Sequence, residues 1–153
     1  MMNIILFRTD QAQNLGTVVR TAVTFGVRVH VIEPLGFVWD EPRMRRAGMD
    51  YLDRADLVRH KSWNKFLEAE SARMKRLVAI TTKGADLMQN FKPQEGDYYI
   101  FGQESAGLPD DIHNSAEARI RIPMVEGERS MNLAISTGIV MYNVLARLGK
   151  LPE

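Results

Sequence analysis

The chain has 153 residues, 45% hydrophobic and 25% charged, which is enough for one real core and matches the balance of a soluble globular protein. It has no cysteine, which excludes disulfide scaffolds, thiolate metal sites and thiol catalysis and suits a reducing cytosol. The net charge of +1 gives no bulk electrostatic case for a nucleic-acid partner, so any basic surface must be local.

Taken in chain order, apolar runs alternate with helical patterns, which predicts a single α/β domain over 1–153 with a mostly parallel sheet and helices on both faces. The runs Asn3–Phe7, Arg28–Ile32, Leu77–Thr81, Tyr98–Phe101 and Ile120–Ile122 read as strands covered on both sides, with Asp56–Arg59 a further candidate. Asn3–Phe7 is too short for a signal peptide, and no later run reaches a transmembrane length, so a cytoplasmic protein is expected. Asn14 is the expected cap of a helix carrying Val18, Val19, Ala22, Val23 and Phe25 and ended by Gly26. Ser62 is the expected cap of a second helix, with Phe66, Leu67 and Met74 on one face, and Pro109 suits the first turn of a third. A last helix is predicted over Met131–Leu148, opened by Ser130 or Asn132. Its stripe of Leu133, Thr137, Val140, Met141, Val144 and Leu148 leaves Ile135 and Ile139 on another side. Two apolar faces point to a homodimer interface, with burial inside one subunit as the alternative.

Segments that are poor choices for simple folding carry the chemistry. In Gln13-Asn14-Leu15-Gly16-Thr17-Val18-Val19-Arg20, a turn enters a helix and places Arg20 off the apolar stripe. From there its planar fork can reach phosphate or ribose oxygens above the strand ends; a solvated arginine is the plain alternative. In Phe101-Gly102-Gln103-Glu104-Ser105-Ala106-Gly107-Leu108-Pro109, glycines that permit close approach or positive φ bracket Glu104, placing a carboxylate at the ligand crevice. After Ile120-Arg121-Ile122-Pro123-Met124 comes a charged loop, then Ser130-Met131-Asn132-Leu133. Ser130 suits an N-cap, whereas the Asn132 amide can hold a ligand oxygen. There is no G-x-G-x-x-G after the first strand, no Walker A loop and no G-x-S-x-G elbow. His30, His60 and His113 are far apart in the sequence, lack metal-ligand spacing and read as structural or surface residues, so no metal is expected.

Together and in this order, these segments resemble the motifs of SpoU-type SPOUT methyltransferases along nearly the whole chain. The stretch Val31-Ile32-Glu33-Pro34-Leu35-Gly36-Phe37, with Arg43, Arg45, Arg46, Ala47, Gly48, Asp50 and Tyr51, resembles the minimal tRNA (cytidine/uridine-34)-2'-O-methyltransferases, the TrmL group. Thr81-Thr82-Lys83-Gly84 and Ile122-Pro123-Met124 strengthen that likeness. The resemblance implies a C-terminal trefoil knot, a homodimer, and S-adenosyl-L-methionine as methyl donor, held near Ile80, Gly102, Ile122, Ser130 and Leu133. It further implies the tRNA anticodon stem-loop of leucine isoacceptors as substrate. Arg20 is then the group at the ribose hydroxyl, Glu104 and Asn132 orient Arg20 or the ribose, and Asn14 and Tyr142 support the site. Arg43 and Arg46, with Arg8 and Lys83, would bind the RNA. The sequence departs from the pattern at Gln11-Ala12-Gln13 (prolines are usual), at Thr17 (an asparagine) and at Ala134 (often a serine). Another tRNA or rRNA position is the alternative within the fold, and a non-catalytic flavodoxin-like nucleotide-binding module the alternative outside it.

Overall fold

A computed structural model describes residues 1–83 and 86–153. The strands are β1 (Asn3–Phe7), β2 (Arg28–Ile32), β3 (Leu57–His60), β4 (Arg76–Ile80), β5 (Asp86–Leu87), β6 (Asp97–Phe101) and β7 (Ala118–Arg121). The helices are α1 (Ala12–Phe25), α2 (Glu41–Arg46), α3 (Trp63–Glu70), α4 (Asp110–Ser115) and α5 (Leu133–Arg147). The strands form one sheet in the order β3-β2-β1-β6-β4-β7-β5, parallel throughout. No described helix is long and apolar enough to cross a membrane.

The predicted strands hold within a residue or two, and the further candidate is β3. Only β5 was absent from the expectations; two residues at a sheet edge leave no periodicity to detect. Because side chains alternate across a strand, β1 serves two cores. Ile4 and Leu6 face α1 and α5 together with Tyr99 and Phe101. Ile5 and Phe7 face α3 and α4 together with Phe66, Tyr98, Ile100 and Ile112.

Helix starts differ from expectation. Gln11 is the N-cap of α1, which places Asn14 inside the first turn and buried. Gly26 ends that helix at φ 67°, as expected. Ser62 caps α3 by accepting from Lys65 N–H, while Met74 lies beyond the helix end but packs against the same cluster. Pro109 is the N-cap of α4 rather than its first turn. The last helix opens at Leu133, with Asn132 and not Ser130 as its cap. Its stripe of Leu133, Thr137, Val140, Met141 and Val144 is buried, whereas Ile135 (57%), Ile139 (37%) and Tyr142 (57%) are exposed on this single chain. Burial within the subunit is therefore not what covers the second apolar face.

His30 and His60, far apart in sequence, are brought together by the pairing of β2 with β3. That pairing sets His30 Nδ1 at 3.0 Å from His60 Nε2, with His30 Nε2 at 2.8 Å from Asn3 Oδ1. Nearby, Tyr98 and Arg73 both donate to the buried Glu70 carboxylate. Burial outweighs the attraction of Glu70 and lowers the His30 pKa to about 4. The unfolded chain binds this proton near pH 6.5 and the folded chain refuses it down to about pH 4, so stability is full above that window and declines as pH falls through it. Between pH 7.5 and pH 5 the expected loss is about 2 kcal/mol. Urea midpoints measured at both pH values test this, with His30→Gln giving a flatter dependence.

Candidate active site

The C-terminal ends of β1, β4, β6 and β7 converge on a cleft of roughly 500 Å³, within the size range of small-molecule sites. This is where open parallel sheets bind ligands. Ile80, Phe101, Leu108, Ile122 and Leu133 give it an apolar wall, and Gly102, Ser130, Asn132 and Glu104 supply polar atoms along the rim.

The residues after β1 are held by the loop after β6. The half-buried Glu104 carboxylate accepts from Thr9 Oγ1 (2.9 Å to both oxygens), Asp10 N–H (3.0 Å) and Asn14 Nδ2 (3.2 Å). Asn14 Oδ1 in turn accepts from Asn132 Nδ2 at 3.3 Å. Asn132 Oδ1 accepts from Ala134 and Ile135 N–H at the start of α5. A carboxylate that can only accept stands at one end of this relay, and backbone groups that can only donate stand at the other. Both asparagine amides are therefore fixed in orientation, and residues 90 and 118 positions apart in sequence become one hydrogen-bonded unit.

Glu104→Gln tests the relay. An amide nitrogen at either oxygen position faces a donor, Asp10 N–H on one side and Asn14 Nδ2 on the other. The variant is expected to lose about 1–2 kcal/mol in urea unfolding. An unchanged midpoint would show that the relay is not formed.

The sequence missed Thr9 and Asp10. Asp10 accepts from Gln103 Nε2 at 2.6 Å and Ser105 N–H at 3.0 Å, and its carboxyl is held below the usual range by the Ser105 side chain first and Gln103 second. A threonine and an aspartate after a strand are common turn residues, so nothing local marks them. Gly102 is required by its own loop. A Cβ there would lie 2.5 Å from Gly107 C and Leu108 N, and the loop closes through paired backbone bonds between Gln103 and Gly107.

The cleft gathers Asn14, Glu104 and Asn132 with Ile80, Gly102, Ile122, Ser130 and Leu133. Lys83 also lines it, while Gly84 lies outside the described residues. The structure does not bring in Arg20, Tyr142, Arg43 or Arg46. Among the described residues, Glu104 bonds to Asn14 in the first turn of α1 and meets Arg20 only through that helix. Arg20 is exposed, with no hydrogen bond or ion pair among the described residues. It stands one turn beyond Gly16, whose carbonyl accepts from Tyr51 Oη, and its charge reaches that phenol. Tyr142 packs against Phe25 with the rings tilted at 59° and their centres 6.5 Å apart. Arg43 and Arg46 are exposed on α2, whereas Arg45 is tied to Asp53.

The model of the SpoU rRNA Methylase family matches residues 1–142. The chain belongs to that family. It is 44% identical over 151 residues to the tRNA (cytidine(34)-2'-O)-methyltransferase of Escherichia coli K12, covering 97% of this chain and 95% of that protein. A solved structure that addresses 2-OH methylation of C/U34 on tRNA superposes with a TM-score of 0.89 at 37% identity, covering 97% of both chains. The AdoMet-bound rRNA methyltransferase of Sinorhizobium meliloti gives 0.84 at 26% identity, covering 96% of this chain and 56% of that one. Family membership sets aside the non-catalytic flavodoxin-like alternative.

Proposed function

We propose that the chain, acting in the cytoplasm as one SPOUT domain, transfers a methyl group from S-adenosyl-L-methionine to the ribose 2'-hydroxyl of nucleotide 34, a cytidine or uridine, in tRNA. The observation that carries this reading is the 44% identity across 97% of the chain to a tRNA (cytidine(34)-2'-O)-methyltransferase. The cleft fits the donor. Its apolar wall at Ile80, Ile122 and Leu133 suits an adenine, and the turn at Gly102 and the Ser130 hydroxyl offer polar partners for a ribose. Passage of the tail through a trefoil knot fits the strand order, in which β7 lies between β4 and the edge strand β5 and is followed by α5 packing on α1.

The bound donor supplies a methyl carbon already activated by a sulfonium. The ribose oxygen bonds to that carbon as the carbon–sulfur bond breaks, sulfur keeps the electron pair, and the hydroxyl proton leaves. The protein's task is alignment and help with the proton. The Glu104–Asn14–Asn132 relay holds the polar rim in place, and Arg20 contacts the hydroxyl or its neighbouring phosphate.

Ile135, Ile139 and Tyr142 form an exposed apolar strip on α5, beside α1. This fits a homodimer, in which Tyr142 supports the interface and Arg20, outside its own chain's cleft, acts at a site completed across it. Arg43 and Arg46, with Arg8 and Lys83, bind phosphates of the anticodon stem-loop, leucine isoacceptors being the expected tRNAs.

The test is methyl transfer from labelled donor to unmodified tRNA, with the product nucleotide mapped by mass spectrometry. A 2'-O-methyl group at nucleotide 34 is expected. Transfer to another position moves the substrate assignment and keeps the chemistry. Absence of donor binding ends the reading.

A further inference from the structure

A second concave surface lies beside the cleft. Glu33, Pro34, Leu35, Phe37, Trp39, Arg59 and Lys61 line an open groove of roughly 410 Å³ at the C-terminal ends of β2 and β3. Trp39 and Phe37 are only half-buried. The Arg59 guanidinium lies 4.3 Å from the centre of the Trp39 ring and is anchored to Glu33 at 2.6 Å. A half-buried indole with a guanidinium over its ring has the shape and the charge to take a nucleobase.

The charges around it select the partner. Lys61 and Arg8 are exposed and unpaired by any ion pair among the described residues, and α2 follows directly with exposed Arg43 and Arg46. Of the nearby acids, Glu33 is paired with Arg59 and Glu41 lies opposite Arg45, while Asp40 caps α2 and Asp10 holds the cleft loop through neutral donors. The cations without an ion pair among the described residues, Lys61, Arg8, Arg43 and Arg46, suit a polyanion. The groove is also mechanically joined to the cleft. Gly36 N–H donates to Thr9 O at 3.0 Å, a Cβ on Gly36 would lie 2.7 Å from the Asp10 backbone, and Asp10 grips Gln103 and Ser105 of the cleft loop.

We infer that Trp39, with Phe37, Arg59 and Lys61, is a stacking platform for an unpaired base of the RNA, one that seats a nucleotide neighbouring the methylated one. The inference rests on the proposed RNA substrate and adds a binding site to it. Stacking is tolerant of base identity, so the platform positions the loop without reading its sequence.

The chain has tryptophan only at 39 and 63, so Trp63→Phe leaves Trp39 as the sole tryptophan emitter. Anticodon stem-loop RNA is expected to quench its emission, and heparin, a polyanion without bases, is not. Trp39→Ala is expected to raise the KM for RNA about 10-fold, with kcat and donor affinity retained and Trp39→Phe recovering most of the loss. Quenching no greater with RNA than with heparin, or an unchanged KM in Trp39→Ala, overturns the inference while leaving the methyltransferase reading intact. If the wild-type protein methylates no RNA, that reading fails, and quenching by RNA still decides for the platform or against it. If Trp39→Ala does not fold, Lys61→Glu replaces it: weakened RNA binding is expected, and unchanged binding overturns the inference.

Discussion

Replacing Arg20 by alanine is expected to lower methyl transfer by about 100-fold or more while folding and donor binding persist. The expectation comes from what Arg20 does not do. It is exposed, and among the described residues it forms no hydrogen bond or ion pair, so the fold loses almost nothing with it. It also lies outside the lining of the cleft, so the donor loses no contact. A guanidinium whose charge reaches Tyr51 but which holds no bond in the fold among the described residues is free to serve the RNA. Arg20→Lys keeps the charge but not the planar fork, and an intermediate rate is expected. Single-turnover rates with saturating donor, read beside a thermal melt and donor calorimetry, make the check. Full activity in Arg20→Ala would remove the arginine from the reaction.

Gly102→Ala is expected to cost about 3 kcal/mol of stability and to weaken donor binding at least about 10-fold. The added methyl would sit 2.5 Å from both Gly107 C and Leu108 N, which are backbone atoms of the same loop and cannot swing aside as a side chain would. To make room, the loop must open the Gln103–Gly107 pairing, and that carries Glu104 away from Thr9, Asp10 and Asn14. Gly107→Ala is the control. It meets no atom within 4 Å and suffers only from φ +70°, a cost of about 1–2 kcal/mol. Urea unfolding and donor calorimetry on both variants separate crowding from backbone strain. Equal effects would mean that close approach is not what Gly102 provides.

Much of this protein is legible in its sequence because the physics is local. A parallel strand buried on both faces must be a continuous apolar run, and β1, β2, β4 and β6 are such runs. The glycine that ends α1 and the serine that caps α3 act within a few residues of themselves. The exposed Ile135 and Ile139 were visible as residues off the stripe of α5. The segments around Asn14, Glu104 and Asn132 stood out for a sharp turn at Asn14 and Gly16 into a helix, an acid bracketed by glycines, and an asparagine expected within the first turn of a helix, where it is a weaker helix former. What each was paired with could not be read.

Composition and periodicity determined the α/β class, the strands and the identity of the polar segments that line the cleft. The tertiary structure decided their partners. Glu104 holds Asn14, Asn132 caps α5, His30 meets His60, and Thr9 and Asp10 anchor a loop more than ninety positions away. The physical reason is one of range. Backbone conformation and burial pattern depend on neighbours within a turn or a strand. A hydrogen bond between side chains depends on which strands lie side by side, and the order β3-β2-β1-β6-β4-β7-β5 joins segments that no local pattern connects.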